Sequence, residues 1–188
     1  MKLLNEIRSC THCVDHLPLG PNPVVHFSLK SRIIIVGQAP GIKVHETSTP
    51  WNDASGNRLR EWLGVSKEEF YDTDVFGIVP MGFCYPGKGK SGDLPPRPEC
   101  AKLWMRKILN SLRHIELMVL IGQYSQNYFL KDSKKENLTE TVRNWKRYLP
   151  EYFVLPHPSP RNNIWLKKNP WFERKTIPAL RKVISEIY

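Results

Sequence analysis

The sequence predicts an α/β fold, with a parallel sheet covered on both faces by helices. Three observations carry that prediction. The strand candidates, such as the Ile33-Ile34-Ile35-Val36 run, are continuously apolar rather than alternating, as in sheets buried on both sides. Helical segments separate the strands along the chain, the order that builds strand–helix–strand units. Two of the strands also stop abruptly at turn motifs, Gly37-Gln38-Ala39-Pro40-Gly41 and His157-Pro158-Ser159-Pro160. In open parallel sheets, ligands sit beyond the carboxyl ends of the strands.

Read in order, residues 2–9 form a short helix leading to Cys10, and the Pro- and Gly-rich stretch 18–23 is loop. Residues 32–36 are a β-branched buried strand. A helix capped by Ser55 runs to Leu63, with Leu59, Trp62 and Leu63 at helical spacing. Residues 75–79 form the second strand, and 85–98, dominated by Pro, Gly, Lys and Ser, is loop. Helix 99–113 leads to a third strand at 117–121, and helix 123–130 follows Gly122. Residues 152–155 make a fourth strand closed by Pro156, and 171–188 is mostly helix, irregular near Pro178. The 188 residues suit one domain, spanning 1–188.

Lys and Arg number 28 against 18 acidic residues, a formal charge of +10. The excess is uneven, with 13 basic and 6 acidic side chains in residues 131–188. A polyanion is the natural partner for such a surface, because neutralising phosphates releases counterions. No apolar window reaches the roughly 18 residues of a membrane span, and Met1 to Glu6 lacks the apolar core of a signal peptide. A cytoplasmic protein without membrane association is expected, and in that compartment structural disulfides are rare. The four cysteines are spaced Cys10-x2-Cys13 and Cys84-x15-Cys100. One close pair plus two distant thiols suits tetrahedral iron or zinc, and spacing alone leaves open iron–sulfur, zinc and unrelated buried thiols.

The two turn motifs together resemble the active-site motifs of the uracil-DNA glycosylase superfamily, in order and in separation. The first continues as GQAPGIKVHETSTPW, similar in length to the iron–sulfur class, with Trp51 at that class's aromatic position. SGNRLREWL is similar to the segment that opens the same class's helix, and the cysteine spacing matches as well. The second motif, HPSPRN, is closer to the classical and single-strand-selective classes. The resemblance implies a three-layer sandwich with a central four-stranded parallel sheet. It also implies a [4Fe–4S] cluster held by Cys10, Cys13, Cys84 and Cys100. Three departures bear on function. Ala39 stands where the classical motif has a water-positioning Asp, Pro80 where the iron–sulfur class has a base-reading Asn, and Asp53 where that class has Gly.

What the resemblance implies is a monofunctional DNA glycosylase, a monomer acting on DNA, with uracil as the leading substrate. Another base such as hypoxanthine is the alternative, as is a catalytically weak module that binds lesions. The chemistry needs a flipped nucleotide, a gripped base, a stabilised leaving anion and one placed water. His157 is the candidate donor to the anion. The backbone of Gln38 and Ala39 can bind the base, with Gly37 and Gly41 permitting close approach. Trp51 can stack on the base, and Pro80 stands at the base-reading position. Asp53 is the water-orienting candidate, and a helix cap is its other reading. Arg161 follows the second motif where the superfamily inserts a wedge, flanked by Ser159 and Asn162 as phosphate ligands. Lys88, Lys90, Lys167 and Lys168 are further phosphate candidates.

Overall fold

The computed structural model describes residues 2–188; Met1 lies outside the described residues. Four strands form one wholly parallel sheet: β1 (Ile33–Val36), β2 (Phe76–Ile78), β5 (Leu117–Ile121) and β6 (Tyr152–Leu155), in the order β2-β1-β5-β6. A two-stranded antiparallel hairpin, β3 (Lys88–Gly89) and β4 (Gly92–Asp93), lies apart from it. Helices α1 (Lys2–Arg8), α2 (Ile42–Thr47), α3 (Ala54–Leu63) and α4 (Lys67–Phe70) fall before β2. Between the hairpin and β6 come α5 (Pro98–Cys100), α6 (Arg106–Ser111), α7 (Gln123–Leu130) and α8 (Leu138–Arg143). Helices α9 (Asn163–Lys168) and α10 (Ile177–Ile187) close the chain.

Every residue of β1 and β5 is buried, which is why those runs show no polar alternation. Phe70, Phe76, Phe153 and Phe172 are fully enclosed around the sheet, each contributing roughly 1.5–3 kcal/mol by leaving water. Helix α3 buries Leu59, Trp62 and Leu63, and packs on α10, which buries Ile177, Leu180 and Ile184. The chain order reverses between β1 and β5, and that switch opens a crevice at the carboxyl edge.

The four strands expected from sequence are all present, within a residue of their bounds. Elsewhere the structure corrects the expectation. Helix α3 begins two residues earlier than a Ser55 cap would place it, and its cap is Asp53, whose Oδ1 accepts the Gly56 N–H at 2.8 Å; Ser55 is buried inside the first turn. A carboxylate spans the distance to the third N–H, so it wins the cap position. The 85–98 loop contains the hairpin. The helix near 99–113 runs from Pro98 to Ser111, with a widened turn at Ala101–Met105. The last helix is irregular, as expected, with a wide turn at Phe172–Thr176 before Pro178 takes a place in the first turn of α10. Helices α2, α4, α8 and α9 are four to six residues long, too short to leave a periodic pattern.

Candidate active site

Parallel register brings the ends of β1, β2 and β6 to one edge, and a cleft of about 470 Å³ opens there. Gly37, Gln38 and Ala39 line it from the turn after β1, and Pro80 from the segment after β2. His157, Ser159, Arg161 and Asn162 line it from the loop after β6, with Trp51 and Asp53 closing the side next to α3. The turn after β1 is tied back by its carbonyls. Gly37 O accepts Met81 N–H at 3.0 Å and Gln38 O accepts Gly82 N–H at 2.9 Å.

Trp51 has a left-handed backbone, φ +56°, uncommon for a bulky side chain. Its carbonyl accepts from Arg60 Nη1 at 3.3 Å, and the preceding Pro50 carbonyl accepts from the Tyr71 hydroxyl at 2.6 Å. The backbone of this strained residue is thereby held, with its indole beside Gly37 at the strand end. A Cβ on Gly37 would lie 2.8 Å from Trp51 Cζ2, so glycine alone lets the ring sit there. The Trp51 and His157 rings lie 5.6 Å apart, tilted by 33°.

His157 Nδ1 accepts the Ser159 backbone N–H at 3.2 Å. That bond leaves the neutral ring's proton on Nε2. Burial holds the imidazole below the ordinary histidine range, with the Asp53 charge pulling the other way. The ring is therefore a neutral donor. Much of the rest of this loop is bound within itself. Asn162 Nδ2 donates to His157 O at 2.7 Å, and Ser159 Oγ accepts the Arg161 N–H at 3.2 Å. Arg58, which the sequence did not single out, reaches from α3 to the Ser159 carbonyl at 3.1 Å and fixes the loop against the helix.

The hairpin forms the outer wall. Ser91, Gly92, Asp93 and Leu94 all face the cleft, and Arg161 Nη1 donates to Ser91 O at 2.9 Å. Arg161 thus holds the hairpin instead of standing free. Asp93 is a second cleft carboxylate that sequence reading missed; its one signal was the glycine-flanked Lys90-Ser91 turn. Lys88 and Lys90 are exposed on the hairpin, and Lys167 and Lys168 on the last turn of α9, all outside the cleft lining.

Cys10, Cys13, Cys84 and Cys100 converge on a second, much smaller cavity, and all four are unpaired. Burial pushes the Cys84 thiol up to about 11 and the Cys100 thiol to about 12, and the neighbouring cysteines add to both shifts. Phe83 N–H points at Cys100 Sγ, 3.5 Å away, and the indole Nε1 of Trp104, which lines the same cavity, is buried without a partner. Among the described residues no group of three or more His, Cys, Asp or Glu side chains has closed to the geometry of a single ion.

The fold and cleft define an α/β protein with an open site at the carboxyl edge of a parallel sheet. The model of the Uracil DNA glycosylase superfamily matches residues 24–181, and the chain belongs to that superfamily. It is similar to the type-4 uracil-DNA glycosylase of Thermotoga maritima, 26% identical over 165 residues that cover 85% of this chain and 81% of the relative. The protein is accordingly a DNA glycosylase of this superfamily, with DNA as its polymer. No helix among the described residues is long and apolar enough to cross a membrane.

Proposed function

We infer that the protein excises uracil from DNA by flipping the nucleotide into the cleft and hydrolysing its N-glycosidic bond. The observation that carries this reading is the pairing of the Gly37–Gly41 turn with a neutral His157 across one cleft. The deep end, between Trp51, Pro80 and the strand ends, receives the base. Trp51 stacks on it, a contact worth roughly 1–3 kcal/mol. The N–H groups of Gln38 and Ala39 bind its polar edge, since the Gly37 and Gln38 carbonyls are already taken by the segment after β2. As the glycosidic bond breaks, negative charge grows on the base carbonyl oxygen, and His157 Nε2–H donates to it. A protonated imidazole would lose its proton to the leaving base; a neutral one stabilises the anion by hydrogen bonding alone. Asp53 adds a negative potential beside the sugar's developing positive charge. Basic residues around the mouth, Arg161, Lys88 and Lys90 on one side and Lys167 and Lys168 beyond, meet the phosphates together with Ser159 and Asn162.

The four thiols suit a [4Fe–4S] cluster. Their chemistry is that of thiolate ligands once a cation offsets burial and mutual repulsion, and Phe83 N–H already points at one sulfur. All four line one shared cavity, and their spacing resembles that of the iron–sulfur class, which is the reason for choosing a cluster over zinc. A bound cluster would supply a structural cross-link between residues 10–13 and the segment 84–100.

A second reading, excision of another base such as hypoxanthine, draws on Pro80, which has no N–H and no polar side-chain atom to read a uracil edge. A panel of oligonucleotides, each carrying one deoxyuridine, deoxyinosine or deoxyxanthosine, tested single- and double-stranded, separates the readings. Fastest release from deoxyuridine is expected; fastest release from deoxyinosine would transfer the assignment. Tight binding to every lesion without release would leave a lesion-binding module.

A further inference from the structure

We propose that Asp93, on the hairpin wall, is the carboxylate that orients and deprotonates the attacking water. The inference rests on the reading of the protein as a base-releasing hydrolase and assigns a step that the two motifs leave without a residue. Ala39 offers only a methyl group in the turn after β1. Asp53 lines the cleft, but its Oδ1 is committed to the Gly56 N–H as the cap of α3. Asp93 differs on both counts. Its carboxylate has no hydrogen-bond donor among the described residues, and it faces the end of the same turn. A Cβ on Gly41 would stand 3.5 Å from Asp93 Oδ2.

Depth in the cleft decides what that carboxylate can reach. A flipped nucleotide enters base first, and its sugar stays at the mouth because it remains joined to the phosphodiester backbone. Ile78, Pro80 and Trp51 stand at the strand ends, at base level. Asp93 stands on the exposed hairpin and lines the cleft from there, on the side where a sugar held at the mouth would lie.

The hairpin is held there by design of its turn. Lys88 pairs with Asp93 and Gly89 with Gly92. Gly92 has φ +148°, and a Cβ on it would lie 2.1 Å from Arg161 Nη1. The backbone there favours glycine, and any side chain would push the guanidinium off the turn. The charged and titratable groups bearing on Asp93 are Arg161 from the loop after β6, Lys88 from the paired strand, Asp53 from the start of α3, and the Tyr85 hydroxyl. Partial desolvation by the cleft walls raises the Asp93 carboxyl above the ordinary range and Asp53 adds to that, while Arg161 and Lys88 oppose it. A carboxylate moved toward neutrality is a better proton acceptor.

The step balances as follows. The water oxygen bonds to C1′ and its proton passes to Asp93. The C1′–N bond breaks, and its electron pair leaves with the base, whose anion accepts the His157 Nε2–H hydrogen bond. Asp93 then returns its proton to solvent, and the base anion takes one up.

The test uses full-length protein and whichever lesion oligonucleotide the wild type cleaves fastest. Single-turnover base release and affinity for the uncleaved oligonucleotide are measured for Asp93→Asn, Asp93→Glu and Asp53→Asn. Asp93→Asn should slow release about 100- to 10,000-fold. Affinity should be unchanged or tighter, and the acid limb of the pH–rate profile should disappear. Asp93→Glu should recover part of the rate, and Asp53→Asn should lose less than Asp93→Asn. Asp93→Asn within roughly threefold of wild type, or rate and affinity falling together, overturns the assignment while leaving the glycosylase reading intact. Release of no base by the wild type from any lesion overturns both.

Discussion

The cleft has two walls built by opposite means. The inner wall rests on the sheet: Ile33 to Val36 and Phe153 to Leu155 are fully buried, and their register fixes where Gly37 and His157 emerge. The outer wall is a hairpin of two-residue strands, held by the Arg161–Ser91 contact and a Leu94 N–H bond to Gly87 O at 2.8 Å. One wall is positioned by the burial of a core and the other by a few polar contacts. The groups that grip the base and its leaving anion stand on the first, and the proposed water-activating Asp93 stands on the second, where its placement depends on the Arg161 contact.

Apart from that of Asp93→Asn, the largest expected effect tests the inner wall. His157→Ala should lower base release about 100- to 1000-fold, with much smaller loss of DNA affinity; equal losses in both would make His157 a binding group. Its pH dependence has a definite sign. Burial places the His157 pKa below the ordinary value, and the working form is neutral. Release should therefore survive as pH falls through about 6.5. A rate that grows as the imidazole gains its proton would reverse the role. Gly37→Ala comes next, because the new Cβ meets Trp51 Cζ2 at 2.8 Å and the ring must shift to admit it. Overpacking of this kind costs about 1–3 kcal/mol, measurable by denaturant unfolding. A displaced ring should also slow release by up to about 100-fold. Unchanged stability and rate would show that the inner wall is softer than its burial implies. The smallest effect tests the outer wall. Arg161→Ala should speed amide exchange in residues 88–93, leave residues 37–41 protected, and lower the salt slope of DNA binding by about one. Loosening of both segments together would erase the distinction between the walls.

The same contrast explains what could be read from the chain. The strands at Ile33–Val36, Leu117–Ile121 and Tyr152–Leu155 were visible because burial on both faces leaves an uninterrupted apolar run. The turn motifs were visible because each begins where such a run stops. Asp53 carried two readings in the sequence, and the structure puts it in both places, capping α3 and facing the cleft. Asp93 and Arg58 were invisible for a different reason. A hairpin of two residues per strand has no alternation to detect, and a guanidinium that braces a loop about 100 residues away has no local signature. Arg161 was located by its motif, but its bond to Ser91 depends on a hairpin that only the tertiary fold brings near.

Cys84 and Cys100 stand at the two ends of the stretch that carries the hairpin, with 15 residues between them. Whatever ligates those sulfurs sets the slack in that tether, and closing a span so short removes most of its freedom to wander. The centre that performs none of the bond-breaking would in this way govern how firmly the cleft's movable side, with Asp93 on it, is moored, so that its loss would register both as a looser grip on the nucleotide and as slower attack by water.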